Sequence, residues 1–148
     1  MKNQGHETKV QAKAPQKNYV CTMEKRIIHT NEAPAPIGPY NQAVQTENLV
    51  FVSGQVALDP VTGEMHNQDL NKETHQVMKN LKAVLQAAGC DFSHIVKTTI
   101  FLSDMQLFSQ VNEIYGSYFN GDYPARETVA VKELPRKANV EISVIAAR

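Results

Sequence analysis

Five positions carry residues whose types suggest chemistry, at points where the hydrophobic pattern of the chain favours apolar side chains. Arg126 opens a β-rich segment after a Tyr-Pro-Ala turn, and Glu141 stands inside an otherwise apolar strand pattern. Asn112 lies in the apolar stripe of a helix pattern, Tyr40 closes a proline-rich loop, and Gly54 interrupts a β-rich run. A guanidinium matches a carboxylate bidentately, and a carboxyl group supplies general acid/base capacity. The set suggests a pocket for a small anionic substrate that undergoes proton transfer.

Each of these residues also has a purely structural interpretation. Arg126 could be a solvated arginine at a strand end, and Glu141 an exposed or ion-paired carboxylate, since charges are seldom fully buried without a partner. Asn112 could bond to a loop backbone, because an unsatisfied buried amide costs about 1–3 kcal/mol. Tyr40 could pack in its turn. Gly54 would weaken a strand unless something approaches its backbone closely or the strand bulges there.

The elements that must position these residues follow from hydrophobic periodicity and turn signals. Apolar residues at three- and four-residue spacing predict an amphipathic helix from Leu70 to Ala88, ended by Gly89. Asp104 is expected to cap a second helix, which Asn120-Gly121 would end. The apolar stripe of that second helix is Phe108, Val111, Tyr115, Tyr118 and Phe119. The segments with strand patterns include Ala43–Thr46, Leu49–Gln55, Ile95–Leu102, 126–131 and Val140–Ala147.

The predicted order of elements is β-β-β-α-β-α-β-β, which indicates an α+β domain with two helices packed on one mixed sheet. The chain has 148 residues, enough for one ordinary domain that buries a core without disulfides. Residues 1–22 are rich in Lys and Gln and lack a helical or strand period, so they are interpreted as a tail. The domain is expected to span 23–148, and Met23 is a possible alternative start.

Composition argues against several classes of function. The formal net charge is +0, so no long-range field attracts the protein to nucleic acid or to an anionic membrane. No apolar run is long enough for a transmembrane helix, and the first residues lack the apolar core of a signal peptide, so a cytoplasmic location is expected. Cys21 and Cys90 are interpreted as free thiols. The histidines lack ligand spacing, and we expect no metal; they are His6, His29, His66, His75 and His94.

A set of motifs, in order along the chain, resembles the reactive-imine deaminase (RidA, or YjgF) family, in its archetypal imine-hydrolysing subgroup. The resemblance extends from Lys25 to Arg148, and its most specific part is YPAR followed downstream by VEI. The matching segments are residues 37–43 (IGPYNQA), 51–55 (FVSGQ), 59–63 (DPVTG), 95–101 (IVKTTIF), 108–115 (FSQVNEIY), 123–126 (YPAR), 134–135 (LP) and 140–142 (VEI).

The resemblance implies a chorismate-mutase-like fold and a homotrimer whose pockets lie between subunits. It implies that Arg126 binds the substrate carboxylate, that Glu141 activates water and moves protons, and that Tyr40 lines the pocket from the adjacent subunit. Substrate-binding contacts are implied for Ser53, Gly54, Asn112 and Thr128. Many relatives carry a cysteine where this chain has Thr128, so a backbone role transfers to this position but thiol-based switching does not.

The implied activity is the hydrolysis of small 2-imino acids, such as 2-iminopropanoate and 2-iminobutanoate, to 2-keto acids and ammonia. This would remove reactive enamine and imine intermediates. Proton transfer and positioning suffice for this reaction, so no cofactor is expected. Alternatives remain: an RNA-directed, translation-inhibiting role, a holdase-like binding role without catalysis, or action on another imine. The zero net charge disfavours RNA, and the pair Arg126 and Glu141 disfavours pure binding.

Overall fold

Alternating buried and exposed side chains build a single six-stranded sheet in the computed structural model, which describes residues 24–148. The tail predicted over 1–22, with Cys21, and the possible start at Met23 lie outside this range. The strands are β1 Lys25–Ile28, β2 Ala43–Thr46, β3 Leu49–Gln55, β4 Ile95–Leu102, β5 Ala125–Ala130 and β6 Val140–Ala147.

The sheet has the spatial order β1-β2-β3-β6-β4-β5. Neighbouring strands are antiparallel except β4 and β5, which are parallel and joined by a helical crossover. The prediction of an α+β fold, with two helices on one mixed sheet in the order β-β-β-α-β-α-β-β, is confirmed.

Helix α1 spans Leu70–Ala87 and follows its prediction closely. The Asp69 side chain caps it by accepting a hydrogen bond from the Lys72 N–H, and Gly89, with φ of 74°, takes the left-handed conformation just past its end. Its fully buried residues Val77, Leu81, Val84 and Leu85 pack against the sheet and form much of the core.

Helix α2 spans Phe108–Gly116 and is shorter than predicted. Asp104 caps a separate 3-10 turn, Met105–Leu107, by accepting from the Gln106 N–H, so it does not cap α2 itself. The predicted stripe residues Tyr118 and Phe119 lie beyond the end of α2. The helix ends early because the Ser117 hydroxyl donates to the Ile114 carbonyl and the backbone N–H groups of Tyr118 and Phe119 bond to carbonyls three residues back, as in turns. Tyr118 and Phe119 still pack against the core.

The sheet has one face covered by the two helices and one face, here called the open face, that no helix of residues 24–148 covers. Ile142 and Val144 of β6 are buried on the helix-covered face, so the alternating Glu141 and Ser143 lie on the open face. Glu141 pairs across the sheet with Phe101. Among the described strands β5 borders β4 alone, so this end of the sheet is an exposed edge strand. In residues 24–148, no helix has the length and apolar character needed to cross a membrane.

Candidate active site

A cavity of about 390 Å³ opens where the proline-rich loop, β3 and the start of β6 meet. Tyr40, Ser53, Gly54 and Glu141 all line it, so one protomer brings together four of the residues singled out in the sequence. The other lining residues are Pro34, Ala35, Ile37, Gln42, Gln55, Val56, Leu58, Pro135 and Arg136. The cavity combines an apolar wall with a carboxyl, a phenol and a guanidinium group, which suits a small polar ligand.

The Glu141 carboxyl group is partly buried in this cavity, and burial raises its pKa above the ordinary value. An elevated pKa brings a carboxyl group closer to neutral pH, where it exchanges protons more effectively. The interpretation of Glu141 as an exposed or ion-paired residue therefore fits the structure poorly.

Gly54 leaves room for the Glu141 side chain. A Cβ atom built on Gly54 would lie 2.8 Å from Cδ of Glu141 and closer still to Oε1, so any side chain here displaces the carboxylate. The pairing of β3 with β6 also shifts register between Val52 and Gln55, as at a β-bulge. A glycine inside a strand is favoured where another group approaches its backbone closely or where the strand bulges, and Gly54 shows both.

Gln42 fixes the loop that carries Tyr40, although no sequence pattern singled it out. Its buried Nε2 donates to the carbonyl oxygens of Thr30, Ala33 and Pro34 at 2.9, 3.1 and 2.9 Å, and its Oε1 accepts from the Thr30 N–H at 2.7 Å. Ser53 lies below this loop, with its hydroxyl donating to the Asn41 carbonyl at 2.6 Å. Tyr40 itself is 50% exposed, so the interpretation as a packed turn residue does not hold.

Arg126 lies in a second cavity, of about 420 Å³, beside α2. Its Nη1 donates to Oδ1 of Asn112 at 2.8 Å, and its guanidinium lies 5.2 Å from the Tyr115 ring centre and 5.7 Å from that of Phe108. Asn112 thus bonds to Arg126 instead of to a loop backbone. These contacts restrain the exposed guanidinium beside α2 and leave other N–H groups of its fork for bidentate binding of a carboxylate.

The same helix-covered side holds Tyr115 and Thr128. Burial raises the pKa of the Tyr115 hydroxyl, which donates to Oγ1 of Thr98 at 3.0 Å. Thr128 stands two residues beyond Arg126 on β5, and its buried Oγ1 has no hydrogen-bond partner among the described residues. An unsatisfied buried hydroxyl is uncommon in folded proteins.

Arg126 and Glu141 project from opposite faces of the sheet within one protomer. Arg126 pairs with the buried Thr98 and contacts α2, so it lies on the helix-covered face, whereas Glu141 lies on the open face. The structure therefore divides the predicted residues into two groups. One group is Tyr40, Ser53, Gly54 and Glu141; the other is Asn112, Arg126 and Thr128.

Arg136 and Gln42 are two polar residues of the cavity that the sequence analysis did not single out as site residues. Arg136 lines the cavity from a left-handed backbone conformation, with φ of 53°. Residues other than glycine seldom adopt this conformation, and no feature of the local sequence predicts it here. Across residues 24–148, no group of three His, Cys, Asp or Glu side chains converges as metal ligands would.

Comparison with known proteins gives consistent matches. A family model described as "Endoribonuclease L-PSP" matches residues 30–148. Protein DfrA of Myxococcus xanthus is 53% identical over 126 residues, which make up 84% of this chain and 96% of that protein. The 2-iminobutanoate/2-iminopropanoate deaminase of Mus musculus is 50% identical over 122 residues, 82% of this chain and 90% of that protein. The crystal structure of YyfA from Yersinia pestis, of the conserved Rid protein family, has a TM-score of 0.82 at 48% identity and covers 84% of this chain and 100% of YyfA.

Proposed function

This chain belongs to the YjgF/RidA family, and on that basis we propose that it hydrolyses small 2-imino acids to 2-keto acids and ammonia. 2-Iminopropanoate and 2-iminobutanoate are the expected substrates. The observation that carries the proposal is the Glu141 carboxyl group, which lies against the bare backbone of Gly54 in a cavity and has a raised pKa. Such a group can accept and return a proton without a bound cofactor.

The proposed reaction begins with water bound between the Glu141 carboxylate and the substrate C2 atom. Glu141 accepts a proton as the water oxygen bonds to C2 and returns it to the imine nitrogen, which gives a carbinolamine. Glu141 then moves the proton of the C2 hydroxyl to the nitrogen as the C2–N bond breaks, so that ammonia leaves and the hydroxyl oxygen becomes the keto oxygen. Glu141 ends in its starting state. A placed acid/base group contributes about 10²–10⁴-fold to such a step, and orientation of the reactants adds more.

Arg126 is proposed to hold the substrate carboxylate next to the reacting carbon. Its guanidinium is already oriented by Asn112 and by the Tyr115 and Phe108 rings, so little conformational freedom is lost on binding. A substrate contact through the backbone of Thr128, two residues beyond Arg126 on β5, stays part of the proposal.

We further propose that the complete site forms between two copies of the chain in a homotrimer. Arg126 and Glu141 point away from each other within one protomer, so a site that uses both requires Arg126 of one copy and Glu141 of the next. In this arrangement Tyr40 lies in the copy adjacent to Arg126, together with Glu141. The exposed edge strand β5 and the exposed apolar residues Phe51 and Val129 provide surface for association.

An amino-acid oxidase that generates the imino acid in the presence of the purified protein tests the proposed activity. With 2-iminobutanoate, we expect 2-oxobutanoate and ammonia to appear well above the spontaneous rate, and capture of the imine by a competing amine to decrease correspondingly. Spontaneous hydrolysis that the protein leaves unchanged would refute the proposal. Tight binding of 2-oxobutanoate without turnover would instead indicate a binding role.

A further inference from the structure

Glu73 is a fully buried residue on α1, and within residues 24–148 its carboxylate accepts hydrogen bonds from a single residue of a distant loop. Its Oε1 accepts from the backbone N–H of Asn139 at 2.7 Å, and its Oε2 accepts from Nδ2 of the same residue at 2.8 Å. A carboxylate out of contact with water is costly unless such bonds satisfy it. Glu73 and Asn139 are here called the clasp, because they tie α1 to the loop between β5 and β6.

Asn139 extends the clasp to two further segments. Its carbonyl accepts from the Ser103 N–H at 2.9 Å, and its Nδ2 also lies 3.3 Å from the carbonyl oxygen of Asn67. Asn67 in turn donates through its own Nδ2 to the carbonyl of Lys137 at 3.0 Å. The loop backbone is therefore held at both Lys137 and Asn139.

The loop that the clasp holds contains a strained turn at the rim of the Glu141 cavity. Arg136 and Lys137 are consecutive residues in the left-handed region, with φ of 53° and 56°, which is unfavourable for any residue with a Cβ atom. Such conformations persist only where the surroundings over-determine them, and they concentrate at ligand sites. Pro135 and Arg136 line the cavity, and Glu141 follows Asn139 by two residues.

We propose that Glu73 is a positioning residue: through Asn139 it holds the Arg136 turn at the cavity rim and so sets the affinity of the cavity for its ligand. The inference rests on the proposed imine hydrolysis and assigns no contact with substrate to Glu73. A loosened rim would widen the cavity and weaken binding, while the Glu141 carboxylate against Gly54 would keep its place in β6.

A pair of substitutions that exchanges the partners of the clasp provides the test. Asn139→Asp alone places a second carboxylate against buried Glu73, and like charges in a buried site repel strongly. Adding Glu73→Gln restores a donor opposite the new acceptor, because the introduced amide can donate to the introduced carboxylate while its oxygen still accepts from the backbone N–H. The longer contact of the Asn139 amide with the Asn67 carbonyl, 3.3 Å, is not restored. Glu73→Ala removes both acceptors and serves as a second disrupting variant. Thr74→Val is the matched control, since Thr74 is buried next to Glu73 in the chain and, in the described part of the protein, its hydroxyl bonds only to the Leu70 carbonyl of the same helix.

Asn139→Asp and Glu73→Ala should raise the Kd for 2-oxobutanoate and the KM for 2-iminobutanoate by about tenfold or more, equivalent to roughly 1.4 kcal/mol. The rate at saturating imine should change by less than about threefold, because a purely rim effect acts on binding. The Glu73→Gln/Asn139→Asp double variant should bring Kd and KM back to within about threefold of the wild-type values, because only the longer contact with the Asn67 carbonyl stays lost, and Thr74→Val should leave both unchanged.

Two results separate the failure of this inference from failure of the proposed function. A wild-type protein that neither hydrolyses imines nor binds 2-oxobutanoate would refute both. An active wild type, together with folded clasp variants that lose thermal stability at unchanged Kd and KM, would refute only the positioning role and leave Glu73 as a structural residue. If Asn139→Asp and Glu73→Ala both fail to fold, the double variant decides: a folded double variant that binds 2-oxobutanoate much more weakly than the wild type would also refute the positioning role.

Discussion

Replacing Gly54 by alanine tests whether the position of the Glu141 carboxylate controls turnover. The new Cβ would lie 2.8 Å from Cδ of Glu141, so Cδ must retreat by at least about 0.6 Å to reach the 3.4 Å of an ordinary contact. Displacement of a reacting group by 1 Å can cost about 10²-fold, so we expect kcat for 2-iminobutanoate to fall by about 10- to 100-fold. Stability should change little, because alanine at a compatible backbone position contributes about 0.4–1 kcal/mol through the unfolded chain.

The assay is oxidase-coupled imine hydrolysis, with thermal unfolding followed in parallel. Gly38→Ala is the matched control: its Cβ would lie 3.6 Å from Cδ1 of Tyr40, an ordinary contact, so activity should stay near that of the wild type. A Gly54→Ala variant that folds normally and keeps full turnover would show that the Glu141 carboxylate does not act from its position against Gly54.

Three further predictions concern the two halves of the site and the assembly. Arg126→Ala should lose most of its kcat/KM and bind 2-oxobutanoate poorly, because a hydrogen bond to a charged group is worth about 1.5–3 kcal/mol. Arg126→Lys should recover little activity, because an ammonium group lacks the bidentate fork. Wild-type kcat/KM in either variant would show that Arg126 does not bind the substrate carboxylate. Burial holds the Glu141 pKa above 4.5, so activity should fall as the pH decreases through that pKa, and the Glu141 contribution to stability should be present at low pH and lost as the pH rises through it. Glu141→Gln should bind the keto acid, lack turnover and lose this pH dependence of stability. A Glu141→Gln variant with an unchanged stability profile would contradict the raised pKa of Glu141. Light scattering should give the mass of three 16.5 kDa chains, and a monomer at micromolar concentration would contradict the shared site.

Local patterns were sufficient to predict most of the fold. The period of α1 and the turn at Gly89 are both local features, and the structure agrees with them. The apolar spacing predicts that α2 continues through Tyr118 and Phe119, but the helix ends at Gly116 and the chain turns there. Packing of the aromatic rings needs no continuous helix: Phe119 lies 4.8 Å from the Tyr115 ring centre.

The grouping of the site residues could not be predicted because it depends on which strands pair and in what register. Glu141 approaches Gly54 only because β6 pairs with β3, and Arg126 faces α2 only because β5 runs parallel to β4 in a particular register. The alternation of apolar residues in β6 puts Glu141 and Ser143 on one face, but it does not say which strand lies beside β6 or which residue faces Glu141 there. Glu73 was likewise missed, since its partner Asn139 lies far away in the chain.

Mixing two inactive variants measures the shared site most directly. Arg126→Ala and Glu141→Gln chains, co-expressed with different tags in equal amounts, should assemble at random. If each site takes Arg126 from one copy and Glu141 from the next, one of the three sites is complete in every trimer that contains both variants, and about three quarters of the trimers contain both. The mixture should then recover about a quarter of the wild-type activity per chain. Mixed trimers, verified by tandem purification on both tags, that remain as inactive as the separate variants would contradict a site built from two copies.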